Sequence, residues 1–213
     1  MKSKEKIIKV ATRLFHKNGY QTTTVDEIAE TTGVTKSNLY YHFRSKEELA
    51  LESLDTRMKQ FESEVILSTL GEISLSPKKR LQRFYDRVSN FHRDLKCRYG
   101  CPFGNLAIEM SDVSEKFRKR LSYFFKNWEG AIEKCINEGI SEGEFRHDIN
   151  PKLVAQLILS QVEGAIMMVK THKTLQPLTA GSEAYQKCPK NACRSVGCEC
   201  YRDDSDSSHK QYD

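Results

Sequence analysis

The chain has 213 residues, 38% of them hydrophobic and 30% charged. That length supports one or two domains with a sizeable core, and the composition excludes a disordered chain. The formal net charge of +5 suits a nucleic-acid partner but suits many ordinary proteins too, so charge alone decides nothing.

No apolar stretch approaches the roughly 18 residues that a bilayer span requires. At the N-terminus, Lys9, Arg13 and His16 interrupt the apolar residues at helical spacing, which is not the core of a signal peptide. The expectation is a cytoplasmic protein with no membrane partner.

Apolar residues recur with helical periodicity along most of the chain, and convincing strands are missing, so the expected class is all-α. Residues 3–18 place Ile7, Ala11 and Leu14 on one face, and Asn18-Gly19 ends the helix. Capping boxes at Thr24–Glu27 and Ser45–Glu48 start further helices near 24–31 and 45–70. A short helix at 35–42 lies between them. Ser76-Pro77 and Asn150-Pro151 put a cap residue before a proline at the first helical position. Helices are therefore expected near 77–95, 103–111, 113–141 and 150–172, with a weaker one after Pro177. Asp112 and Glu115 form a looser start signal for the long helix.

Residues 24–43 carry the most chemistry. Val25, Ile28 and Ala29 face inward on a capped helix, Gly33 sits in a tight turn, and Val34 plugs the space between two helices. Leu39 and Phe43, four apart, face the core. Lys36, Ser37, Asn38 and Tyr41 are left facing outward. This is the plan of a helix-turn-helix. The first residues of the second helix of such a motif meet base edges in the major groove. Lys36 suits guanine, Asn38 suits adenine, and Thr35 and Ser37 accept either base or meet a thymine methyl. Tyr40, Tyr41 and His42 are placed for phosphates. Thr24 and Lys46 stand at helix starts, where free amides attract a phosphate.

Residues 3–54 closely resemble the N-terminal domain of the TetR family of transcriptional regulators. The resemblance is carried by KIIKVATRLFHKNGYQTTTVDEIAETTGVTKSNLYYHFRSKEEL, above all by the run from Gly33 to Phe43 followed by Ser45-Lys46-Glu47. The segment YGCPFGNLAIEMSD from Tyr99 to Asp112 is similar to one found in a broad branch of that family. The resemblance implies an all-α homodimer that places two recognition helices on a pseudo-palindromic double-stranded DNA operator. It also implies a small-molecule inducer, bound in a variable C-terminal domain, that usually relieves repression.

The expected organisation is a helix-turn-helix head over 1–47, a helical regulatory and dimerisation domain over 48–180, and a polar Cys-rich tail of poor order over 181–213. An inducer pocket is expected to involve Phe84, Phe91, Phe103, Leu106, Met110, Phe124, Trp128 and Met167, with Met168 beside them. An aromatic or methionine stripe is more often core than ligand box. Residues 150–172 are expected to pack against a partner subunit. After Pro177 the apolar pattern fades, which departs from the family and puts the second dimer helix in doubt.

Seven cysteines are an odd set: Cys97, Cys101 and Cys135 in the body, and Cys188, Cys193, Cys198 and Cys200 in the tail. Cys101 stands near a helix start with Lys96 and Arg98 close by in the chain, an arrangement that lowers a thiol pKa, so it is a candidate sensor of oxidants or electrophiles. The alternative is a small packed residue. The tail cysteines, spaced C-x4-C-x4-C-x-C, offer a zinc or iron–sulfur site as an alternative reading, a metal-binding regulator, but the spacing matches no strong zinc pattern. No metal site and no cofactor are expected. An enzyme is disfavoured because a Gly-rich phosphate loop, G-x-S-x-G and a paired acid site are missing.

Overall fold

The computed structural model describes residues 3–187. In chain order the helices are α1 (Ser3–Asn18), α2 (Val25–Thr32), α3 (Lys36–His42), α4 (Lys46–Phe61), α5 (Pro77–Asp94), α6 (Pro102–Met110), α7 (Glu115–Ser141), α8 (Pro151–His172) and α9 (Gln176–Lys187). No strand occurs among the described residues, as the periodicity predicts.

α1 to α3 close on a small core of Ile7, Ala11, Leu14, Phe15, Ile28, Ala29, Leu39 and Phe43. α4 runs from this unit into the larger body and packs along α1. In the body, α7 packs on α8, α8 on α9, and α5 on both α7 and α9. Its centre is a set of rings in mutual contact. Phe103 and Phe124 lie 4.1 Å apart, Phe61 and Trp128 4.7 Å, and Phe84 and Trp128 5.8 Å.

The capping signals hold in part. Thr24, Thr35, Ser45 and Asn150 each accept from the amide three residues on. The return arms differ from a closed box. Glu48 accepts from the amide of Arg44 at 2.6 Å, and Glu27 accepts instead from Asn18 Nδ2 at 2.9 Å. Ser76 makes no side-chain cap. Asp112 does not start α7 either. The helix begins at Glu115, and Ser114 turns its hydroxyl to Glu47 Oε1 at 2.7 Å.

Three expectations are corrected. The helix expected over 45–70 is α-helical only to Phe61 and widens into a π-helical turn over Glu62–Leu67. Arg87 Nε donates to Glu64 O at 3.1 Å and an Arg80 NH group to Leu70 O at 3.0 Å, supplying donors to carbonyls where the α pattern lapses. The helix after Pro177 does form, reaching Lys187. Leu178 is buried against α8 and α5, so the expected tail is helical over residues 181–187. Residues 188–213, with the four tail cysteines and the metal question they raised, lie outside the described residues. Finally, α8 is long and apolar enough to cross a membrane by length and composition, with a mean hydropathy of 1.4. Its polar residues are few and spaced, which hid this from a search for unbroken apolar runs. Here it packs against α7 and α9 with Ile158, Val162, Ile166 and Val169 buried.

Candidate nucleic-acid interface

α3 is short, and its position is set from within. Leu39 and Phe43 are buried and hold one face against α1 and α2. Gly33, at φ 72°, allows the sharp turn, and its amide closes α2 onto Glu30 O. Thr35 caps α3 by accepting from Asn38 N at 3.1 Å. The opposite face is left to solvent.

Thr24, Thr35, Lys36, Ser37, Tyr40 and Tyr41 are all exposed, and Tyr41 reaches 83%. The fold therefore leaves most of the sequence-selected residues open to solvent. Asn38 and His42 are half-buried. Asn38 Oδ1 accepts from Ser3 Oγ at 2.8 Å, which orients its amide group, and His42 packs edge-on to Tyr41.

Two expected contacts look different in the fold. Lys36 is ion-paired with Asp26 of α2, so it must leave that partner to reach a base. Lys46 was expected to meet a phosphate. Its ammonium is instead turned inward onto the carbonyls of Tyr20, Gln21 and Thr23, at 2.8, 3.3 and 2.9 Å. It also lies 4.4 Å from the centre of the Tyr20 ring. Carbonyls left free by the turn after α1 offer it a better site than solvent.

The ion pair carries a testable consequence. Asp26→Asn removes a negative charge from this face and frees Lys36, so operator affinity should rise by roughly three- to tenfold in a gel-shift titration at low salt.

The head is held on the body by contacts that sequence reasoning missed. Glu109 of α6 accepts from the amides of Tyr20 and Gln21, at 2.9 and 2.6 Å. His16 of α1 donates its Nε2–H to Gly100 O at 2.8 Å. Glu47 accepts from Ser114, and within the body Arg120 of α7 pairs with Asp55 of α4 at 3.0 Å. These partners lie far apart in sequence, and no local pattern marks them. The loop between α5 and α6 places Lys96, Cys97 and Tyr99 at positive φ, each at a cost of about 1–2 kcal/mol. Asn105 Nδ2, donating to Tyr99 O at 2.5 Å, and the His16 bond help hold it.

The buried histidines near this junction set a pH dependence. Burial lowers the pKa of His92 to about 4, and burial also lowers that of His16. The unfolded chain binds their protons more readily, so stability should be full above about pH 6.5 and fall as pH drops towards 4. Urea midpoints at pH 7 and pH 5 test this, and His92→Gln should flatten the change.

The expected pocket residues scatter. Phe84, Phe103, Phe124 and Trp128 pack against one another or against Phe61 as core. Phe124 and Trp128 also border a solvent-open cleft of about 360 Å³ between α4 and α7, with Met58, Ile66 and Tyr123. Leu106 and Phe103 border a second cleft beside α1. Met110 is buried, and Phe91 lies beneath Arg57, 5.0 Å from its guanidinium carbon. Met167 is 55% exposed on α8, and Met168 is exposed too.

Cys101 is corrected as well. It caps α6, its Sγ accepting from Gly104 N at 3.4 Å, but it is buried, and burial beside Glu163 pushes its thiol well above the usual range. The basic neighbours on which the expectation rested, Lys96 and Arg98, are exposed. Burial outweighs the helix start, and the environment is not that of an activated thiolate. Cys135 is buried and likewise raised, to about 11. No cluster of metal-ligating side chains occurs among the described residues.

A short helix capped and exposed at its start, held across a glycine turn and joined to a helical body, defines a helix-turn-helix DNA-binding regulator. Residues 7–52 match the profile of the bacterial regulatory proteins of the tetR family, and residues 77–185 match the tetracyclin repressor-like C-terminal domain. The chain belongs to the TetR family of transcriptional regulators. It is 30% identical over 175 residues to the transcriptional repressor DhaR of Mycobacterium sp. (strain GP1), covering 82% of this chain and 86% of that one. It is 31% identical over 185 residues to the regulator LmrA of Bacillus subtilis, covering 83% and 90%. The crystal structure of regulatory protein TetR from Rhodobacter sphaeroides superposes with a TM-score of 0.79 at 25% identity, covering 85% of this chain and 95% of that one.

Proposed function

We propose that the protein is a homodimeric, cytoplasmic repressor that binds a pseudo-palindromic operator and is released by a small-molecule inducer. The head over 1–47 reads DNA, and the body over 48–180 dimerises and binds the inducer. The observation that carries this reading is the bare face of α3, whose capped first turn offers Lys36, Ser37 and Asn38 beside the exposed ring of Tyr41. Thr35 to Asn38 read base edges. Thr24, Tyr40, Tyr41, His42 and the N-terminal amides of α4 hold phosphates.

Dimerisation is supported by the outer face of α8. Leu157, Met167 and Met168 are exposed there, and a Cβ added at Gly164 would meet open space. An apolar helix face of this kind is costly in water and suited to a second copy. The DhaR relative is named as a repressor, which supports that sign of regulation here.

Sedimentation combined with gel shift tests the reading. A dimer that binds one duplex with a steep salt dependence supports it. A monomer that binds specific and random duplexes alike would refute it.

A further inference from the structure

The cleft beside α1 has an unusual charge balance. It lies where α1 of the head meets α4 and α6 of the body, a half-open cleft with a cavity volume of about 20 Å³. Phe15, Leu54, Phe103 and Leu106 form apolar walls. Arg57, Ser53 and His16 supply the polar groups.

Each of those polar groups is under-used. Ser53 is 2% exposed, and its hydroxyl has no hydrogen-bond partner among the described residues. Arg57 has no carboxylate within ion-pair distance among the described residues; it meets the Phe91 ring and touches Gln60 Oε1 at 3.5 Å. Burial pulls its guanidinium below the ordinary value. His16 spends Nε2–H on Gly100 O, which leaves Nδ1 as its remaining polar atom.

The surroundings add more positive charge and little negative. Lys170 of α8 acts on His16 and approaches Gly100. His92 lies behind His16, with Nδ1 buried and unpartnered among the described residues. Burial raises the pKa of the Cys101 thiol and of the Glu163 carboxyl. Glu64 is the acidic group that acts most on Arg57, from beyond ion-pair distance. The first turn of α6, at Pro102 and Phe103, borders the same cleft and adds the positive end of a helix. A partly buried guanidinium without a counter-charge is costly, and an anion that brings its own hydrogen-bond acceptors relieves that cost.

We infer that this cleft is an effector site for a small monocarboxylate with an apolar body, its carboxylate held by Arg57 and Ser53 and its body by Phe15, Leu54, Phe103 and Leu106. The inference rests on the regulator reading above and names the effector and its place. The innermost part of the cleft is only water-sized, so an occupant must part α1 from α6. The contacts that it would press on, Glu109 to the Tyr20 and Gln21 amides and His16 to Gly100, are those that seat the head. Occupancy then favours a different head position and draws its cost from binding energy.

Calorimetric titration of the full chain with acetate, hexanoate, benzoate and neutral benzamide tests the site. At least one of hexanoate and benzoate should bind, more tightly than acetate, and benzamide should bind at least tenfold more weakly than benzoate. Arg57→Gln should weaken carboxylate binding by tenfold or more, and Arg57→Lys by less. Ser53→Ala, which removes a hydroxyl with no partner and so does not threaten folding, should weaken it by roughly threefold. The bound carboxylate should also lower operator affinity of the wild type. No binding by any carboxylate, equal binding of benzamide, or affinities unchanged in Arg57→Gln and Ser53→Ala would overturn the site. Carboxylate binding without any change in operator affinity would overturn its role as an effector site. Operator binding without carboxylate is measured separately, and its loss would count against the regulator reading instead.

Discussion

Lys36→Ala should weaken binding to the cognate operator by roughly ten- to a hundredfold, the range expected for one base-edge contact. Binding to random duplex should fall far less. Lys36 is exposed, and its pairing with Asp26 is an exposed ion pair, worth at most about 1 kcal/mol. The folded state should therefore lose little, and thermal unfolding should move by no more than a few degrees. The diagnostic feature is relaxed base preference at one position of each half-site, read by competition with single-base operator variants. A variant that lost affinity equally for every duplex would make Lys36 a phosphate contact. The Asp26 pair adds a second signature: Asp26→Asn and Lys36→Ala should be non-additive, because the first acts largely through the second.

Phe43→Ala should destabilise the chain by about 3–5 kcal/mol, the usual cost of truncating a buried aromatic. Phe43 is 1% exposed and caps α3 through its amide to Leu39 O at 2.9 Å. The Lys4 ammonium lies 5.3 Å from its ring centre. The ring therefore ties α3 to α1. The loss should show as a fall in the urea midpoint together with lost operator binding, since α3 cannot dock if its inner face is unsupported. Operator affinity that survived such a fall would mean that α3 holds its place by other contacts.

The head was the most legible part of the sequence. Its caps, its glycine turn and its inward residues are local signals, each within a few positions of what it controls, and Thr24, Thr35 and Ser45 do cap as read. What escaped depends on distant partners. Lys46 looks like a free cation in sequence, but three carbonyls from the turn before α2 capture it. Cys101 looks activated by its neighbours in the chain. In space it is buried against Glu163, from a helix some sixty residues away. The aromatic and methionine residues could not be sorted by spacing alone, because a helix face does not say whether it meets a core, a cleft or a second subunit. Phe84 and Trp128 went to the core and Met167 to the surface. Glu109 was invisible for the same reason, its backbone partners Tyr20 and Gln21 lying on another element.

The same long-range contacts explain how a body can control a head. Glu109 and His16 join α6 and its preceding loop to the end of α1, while Asp55 and Glu47 of α4 meet α7 and its first turn. An effector needs only to favour one arrangement of these contacts over another to change how α3 is presented.

The most direct test of the account is selection of bound duplexes from a random-sequence pool with the full-length protein. The enriched motif should be a pseudo-palindrome with half-sites about one helical turn or a multiple of it apart, and selection with Lys36→Ala should give the same spacing with a degenerate position in each half. Enrichment of no motif, or of one without two-fold symmetry, would contradict a dimeric reader working through α3.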